Sequence, residues 1–112
     1  HPEMTIAVLE AWWETAGKLL PEGTFEVWGG LGHAGEGETS MMLAVRPDLV
    51  EMGRARGVVP ELPAHVQLKW IFRELTPYGV TGDPTKATKE KGEKMKRALI
   101  ELLVSFFKDK KM

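Results

Sequence analysis

Residues 32–44 of the chain read GHAGEGETSMMLA. Three glycines within six residues hold one histidine and two glutamates in permissive backbone, and an apolar run that favours a helix follows directly. Packing alone seldom needs flexible backbone, ionisable side chains and a helix start within so few residues. We therefore interpret residues 32–44 as a candidate functional site.

Length and composition indicate one domain or part of one. The chain has 112 residues, of which 43% are hydrophobic, so it can form a sizeable core. It contains no cysteine, which excludes disulfides and thiolate metal sites. No apolar run approaches the ~20 residues of a membrane span. We expect a cytoplasmic protein with no membrane partner.

Charge is distributed unevenly along the chain. Residues 1–64 carry ten acidic and four basic side chains, whereas residues 65–112 carry six acidic and eleven basic ones. Such asymmetry can indicate a nucleic-acid surface, but it also fits a cation site in the first half and a solvated helix in the second. The basic run at 86–97 has no interleaved aromatic residues, so nucleic-acid binding is the least favoured hypothesis.

Local patterns predict a mixture of elements before the C-terminal region. Residues 4–13 fit either a helix or a buried strand, while 14–20 suggest a short helix. Residues 24–28 are β-prone, and 38–45 predict a helix. Residues 65–75 are rich in β-branched and aromatic side chains and resemble a strand.

The last helix has the clearest pattern. Asp83 is a suitable N-cap, and Pro84 after it suits the first helical position. Apolar residues then recur at steps of three and four, which predicts one buried face. These residues are Met95, Leu99, Leu102, Leu103 and Phe106.

His33 and Glu38 are the candidate site residues. They are five positions apart, about 140° around a helix, so they can converge only if His33 lies in the glycine loop and Glu38 in the first helical turn. Such a pair suits metal ligation or proton transfer. The alternative is a turn-capping histidine and an ordinary first-turn charge.

Four tryptophans offer a second kind of candidate. They could line a pocket for a planar ligand, although tryptophan more often belongs to a core. These residues are Trp12, Trp13, Trp28 and Trp70.

Two blocks of the sequence resemble the creatininase (creatinine amidohydrolase) family. Residues 33–44 read HAGxxETSxMLA, and PDLV follows at 47–50. Residues 79–84 read GVxGDP, similar to the closing segment of that family. The two blocks occur in the expected order and at the expected separation.

The resemblance implies a fold that the local patterns leave open. It implies that residues 1–112 are a single partial domain, the C-terminal portion of a three-layer α/β/α sandwich with a mainly parallel sheet. Residues 4–13 would then form a core strand. Family members assemble into ring-like oligomers, so a homo-oligomer is expected.

The resemblance also implies a chemistry. Family members hydrolyse cyclic or linear amides at a two-metal centre of zinc, manganese or iron, and archaeal relatives deformylate a formylaminopyrimidine nucleotide. His33 corresponds to the histidine that contacts substrate and moves a proton, and Glu38 to a glutamate close to the metals. Trp28 falls near the pocket tryptophan, one position further from the histidine than in the family.

Most of the family's metal ligands have no counterpart in this sequence. Its Glu-x-His and Asp ligands and its Asn-Gly-His segment are missing. One hypothesis is therefore the C-terminal part of a metal-dependent amidohydrolase that needs the N-terminal half of the enzyme and is inactive alone. The alternative is a non-catalytic assembly or binding module that needs a partner chain.

Overall fold

The computed structural model of the chain describes residues 2–4, 6–61 and 71–109, the last of them by its backbone alone. Four α-helices occur in this part of the chain. They are α1 (Trp12–Gly17), α2 (Glu36–Val45), α3 (Phe72–Leu75) and α4 (Lys89–Asp109). Short 3-10 turns lie between them, at Trp28–Gly30, Pro47–Leu49, Met52–Arg54 and Pro84–Lys86. No described helix is long and apolar enough to cross a membrane.

The core forms where α4 crosses α1 and α2. Met95 and Ala98 of α4 are buried against Ala16 of α1. Trp13, Leu20, Phe25, Met41, Leu99 and Leu102 pack around this centre and are partly buried.

Gly92 lets α4 approach α2 closely. A β-carbon at Gly92 would collide with the backbone carbonyl of Ser40. The buried Ser40 hydroxyl also accepts a hydrogen bond of 3.2 Å from the amide of Thr88. The two helices therefore meet through backbone and a small side chain.

The predicted start of the last helix is partly correct. Asp83 does act as a cap, accepting from the Thr85 amide at 3.0 Å, but it caps the 3-10 turn Pro84–Lys86. The backbone at Ala87 is extended, so the long helix starts afresh. Thr88 caps it by accepting from the Lys91 amide at 3.2 Å. Leu103, expected on the buried face, is 43% exposed.

The predicted parallel sheet is wrong for the described residues. Their only pairings are two isolated antiparallel bridges, His33 with Thr81 and Val58 with Gly82. The expected strand at 4–13 has no strand partner there, and Ile6 and Val8 are 75% and 73% exposed. A parallel strand needs cover on both faces, which this segment lacks. Its last two residues begin α1 instead.

The two other predicted strands are also corrected. Residues 24–28 do not pair as a strand, because the amides of Glu26 and Val27 donate to the carboxylate of Glu36. Most of the strand predicted at 65–75 lies outside the described residues, because these omit 62–70. Its described end forms the four-residue helix α3. The helix predicted at 38–45 is confirmed and begins two residues earlier, at Glu36.

Candidate functional site

Backbone hydrogen bonds join the loop that carries His33 to Thr81. The His33 amide donates to the Thr81 carbonyl at 2.9 Å, and the Thr81 amide returns a bond of 3.0 Å to the His33 carbonyl. The Thr81 hydroxyl accepts a further bond from the same His33 amide at 3.0 Å. Gly32 has φ +117°, a conformation that other residues rarely adopt, and it lies directly against the Thr81 carbonyl. The two sequence blocks, 48 positions apart, therefore meet here.

The His33 side chain lies on the exposed side of this loop. Its ring meets Phe72 edge to face, with centroids 5.3 Å apart. Among the described residues, no hydrogen bond or ion pair engages the imidazole. The ring nitrogens are therefore accessible to a ligand.

Glu38 is held at the start of α2. Its carboxylate accepts a hydrogen bond of 2.5 Å from the amide of Ala34, the residue after His33. Acidic residues are common in the first turn of a helix because unpaired backbone N–H groups point toward them. His33 thus lies in the glycine loop and Glu38 in the first turn of α2, as predicted, but no hydrogen bond joins their side chains.

Glu38 lies on the wall of a cavity of about 680 Å³. Trp12 and Trp13 face it from α1, with Met41 from α2 and Leu99 from α4. The walls are mainly apolar, with Glu38 and Glu51 as their charged members. A cavity of this kind can hold a planar or apolar ligand beside one carboxylate.

Trp28 lines a different cavity. It is 47% exposed and has φ +48°, an unfavourable conformation for a tryptophan. Its cavity of about 300 Å³ also involves Trp13 and Phe25. Trp13 lines both this cavity and the one beside Glu38. Its indole Nε1 donates to the Gly29 carbonyl at 3.1 Å. The described structure thus places Trp13 and Trp12, rather than Trp28, beside Glu38; Trp70 lies outside the described residues.

Glu36 is the site residue that sequence reasoning missed. Its side chain is fully buried, and its carboxylate accepts from the Glu26 amide at 2.8 Å and the Val27 amide at 2.9 Å. The Lys91 ammonium donates to it at 2.6 Å and also to the Lys86 carbonyl at 2.8 Å. Glu36, in α2, thereby links the segment before Trp28 to Lys91 of α4.

Two carboxyl groups with lowered pKa values lie away from the His33 loop. The Arg46 guanidinium holds the pKa of Asp48 below its ordinary value of 3.8 through a bidentate pair of 2.6 and 2.8 Å. A hydrogen bond from Lys96 is the main cause that lowers the pKa of Glu93 below 4.5. Asp48 is an exposed charge next to α2, Glu93 is a half-buried charge on α4, and neither is a candidate for chemistry.

The described residues do not make a complete metal centre. Nowhere among residues 2–4, 6–61 and 71–109 do three His, Asp or Glu side chains lie together in a way that could hold an ion. The Glu38 carboxylate is one suitable oxygen ligand, but one ligand does not fix a metal. His65 lies outside the described residues.

Comparisons with known proteins give one match. The model of the creatininase family, described as creatinine amidohydrolase, matches residues 2–107. No curated protein and no solved structure matches the chain significantly. The matched range includes the His33 loop, the residues that pair with it and nearly all of α4. The chain therefore belongs to the creatininase family, whose members are metal-dependent amidohydrolases.

Proposed function

We propose that this chain supplies the substrate side of a metal-dependent amidohydrolase that cleaves a cyclic or linear amide. The bond would be a creatinine-like or formamide-type C–N bond. One observation carries the proposal: the two family-like blocks meet at the His33–Thr81 bridge, and the amide of the residue after His33 donates to the Glu38 carboxylate. The chain would be the C-terminal portion of the enzyme, working with the N-terminal half or with further copies of itself.

His33 and Glu38 would have separate tasks. The exposed His33 imidazole would move a proton at the scissile amide, protonating the nitrogen that leaves when the C–N bond breaks. Glu38 would lie near the metals and offer a carboxylate oxygen. Trp28 would contact substrate at the edge of this region, with Trp12 and Trp13 forming the adjoining apolar wall.

Zinc, manganese or iron would polarise the amide carbonyl and activate water, as metal ions do in hydrolases. Since the described residues do not form a metal centre, most ligands would come from outside this chain. The residues of this chain would orient the substrate and handle its proton. The site would work in the cytoplasm on a small molecule.

Substrate binding by the chain alone tests the proposal. Creatinine and N-methylformamide are titrated into the 112-residue chain, and backbone amide shifts are followed by NMR. We expect shifts at Gly32, Ala34 and Glu38, weakened in His33→Asn and unchanged in Glu93→Gln, a control on α4 away from the loop. Equilibrium dialysis against Zn²⁺ or Mn²⁺ should give less than one tightly bound ion per chain. Shifts scattered over α4, or stoichiometric metal with turnover by the chain alone, would contradict the proposal.

A second candidate is an assembly or binding module that lacks chemistry of its own. A stripe of α4 favours it, because apolar side chains recur there at steps of three and four and remain exposed. These residues are Ile100, Leu103, Val104 and Phe107, which are 43–73% exposed. A module of this kind would show association without the ligand shifts at Gly32, Ala34 and Glu38.

A further inference from the structure

A second, cationic cavity adjoins the apolar cavity beside Glu38. It has a volume of about 370 Å³ and lies between the turn Met52–Arg54 and the loop that carries Tyr78. Three charged side chains line it, the cations Arg54 and Arg56 and the anion Glu51. Its walls therefore carry one net positive charge, in a half of the chain that is otherwise acidic.

The Arg56 guanidinium is held in place by the backbone. Its Nη1 donates to the Ala55 carbonyl at 2.7 Å and to the Gly53 carbonyl at 3.4 Å. No carboxylate among the described residues pairs with it. The rest of its planar donor set is thus available for the paired oxygens of a carboxylate or phosphate, the geometry that arginine matches best.

Arg54 is bound only loosely. Its nearest acidic group is Glu51, at 3.6 Å, and both side chains are highly exposed, 81% for Arg54 and 73% for Glu51. Exposed pairs of this length contribute little to stability. An incoming anion can therefore replace Glu51 as the partner of Arg54 at small cost.

The loop that carries Tyr78 is anchored on a buried residue. Thr76 is 3% exposed, and its hydroxyl accepts from the amides of Tyr78 and Val80 at 3.3 and 3.2 Å. These bonds hold Tyr78 at the cavity, where its phenol hydroxyl can donate to an oxyanion. Nearby, Val58 pairs with Gly82 at 2.9 and 2.7 Å, which anchors the chain just after Arg56.

We propose that the cavity between Arg54, Arg56 and Tyr78 binds an oxyanion, the carboxylate or phosphate group of a small molecule. Ala34, Thr39, Val50 and Glu51 line both this cavity and the apolar one. One ligand can thus place an anionic group at the arginines and a planar or apolar part beside Trp12, Trp13 and Glu38. As a statement about substrate this rests on the proposed hydrolase function, but the anion site itself does not.

Direct titration tests the anion site without metal or turnover. Inorganic phosphate and acetate are added separately to the full chain at constant ionic strength set with chloride, and amide shifts are followed by NMR. Saturable shifts at Gly53, Ala55 and Tyr78 are expected with at least one probe, and the tighter probe identifies the preferred group. If neither probe gives saturable shifts at these residues, the proposal is wrong.

Charge variants distinguish anion binding at this site from nonspecific electrostatic attraction to the chain. Arg54→Gln and Arg56→Gln should each weaken anion binding by about fivefold, and Glu51→Gln should tighten it by a similar factor. Arg97→Gln, an exposed change on α4, should leave binding as it is. Because Arg54 is 81% exposed and only loosely paired, its replacement cannot act by unfolding the chain. Equal affinities in all four variants would overturn the assignment, whereas failure of the hydrolase proposal alone would leave these results unchanged.

Discussion

At the scale of single residues, Glu36 accepts hydrogen bonds from two distant parts of the chain. The Glu26 and Val27 amides reach it from one side and the Lys91 ammonium from the other. In the sequence it is only an acidic residue near a helix start, a place where such residues are common. Its burial depends on contacts 10 and 55 positions away, which local patterns cannot reveal.

Removing one partner of this buried pair should destabilise the chain strongly. Lys91→Met leaves the Glu36 carboxylate buried without its cation, and we expect a loss of about 3–5 kcal/mol in the free energy of unfolding. Urea denaturation followed by circular dichroism measures it. Lys96→Met, which removes the exposed partner of Glu93, is the control and should change stability by less than about 1 kcal/mol. Equal effects would show that Glu36 and Lys91 are not a buried pair.

Asp48 gives a prediction about pH. Because Arg46 lowers its folded pKa, the pair favours folding above the unfolded pKa, and this contribution disappears as the pH falls through the folded value. An NMR pH titration should place the Asp48 midpoint below 3.8 in the native chain. In Arg46→Gln the midpoint should rise toward that value. A midpoint that Arg46→Gln leaves unchanged would contradict the ion pair as the cause.

The candidate site was predictable in part. The spacing lets His33 and Glu38 converge only if one lies in the glycine loop and the other in the first helical turn, and the structure places them there. The partner of His33 was not predictable from spacing, because Thr81 pairs with it from 48 positions away. Trp28 stays a predicted substrate contact, and it lines a different cavity from Glu38.

At the scale of elements, periodic helices were predicted well and strands were not. The apolar steps of α4 and the apolar run of α2 depend on neighbours within one or two turns. Strands depend on partners far along the chain, and the segments expected as strands at 4–13 and 24–28 lack them among the described residues. A second cap at Thr88 explains why the long helix begins later than Asp83 indicates.

Gly92 should be essential to the packing of α4 on α2. Alanine forms helices better than glycine, so Gly92→Ala would stabilise an exposed helix. Here the added methyl group meets the Ser40 carbonyl, and we expect a loss of about 1–3 kcal/mol in unfolding free energy. Gly17→Ala in α1 is the matched control, since no atom lies within 4 Å of its added methyl group. That control should gain about 0.5–1 kcal/mol in unfolding free energy. A gain in both variants would contradict the close contact between α4 and α2.

At the scale of the whole molecule, the chain exposes more surface than its size requires. Its accessible area is 8481 Å², whereas a compact monomer of 12.5 kDa exposes about 6,200 Å². The difference exceeds the ~800 Å² that one partner buries in a typical interface. Exposed apolar side chains on α4 and in the segment before α1 contribute to it. The proposed need for a partner chain accounts for this surface.

Association should therefore depend on the apolar stripe of α4. Sedimentation of the 112-residue chain should give a species larger than 12.5 kDa that shifts toward the monomer in Val104→Lys. The control Ser105→Lys adds the same charge at a neighbouring exposed position outside that stripe. Association that both variants weaken equally would indicate a charge effect instead of an interface on α4.

The central claim is that the His33 loop forms the substrate side of an amide-hydrolysing site. Its most direct test is the kcat and metal content of His33→Asn, measured on the enzyme in the assembly in which this chain occurs naturally, with Glu93→Gln as control. We predict that His33→Asn lowers kcat by about 10²–10⁴-fold while its metal content and that of the control stay at the native level. A His33→Asn enzyme with native kcat would contradict the claim.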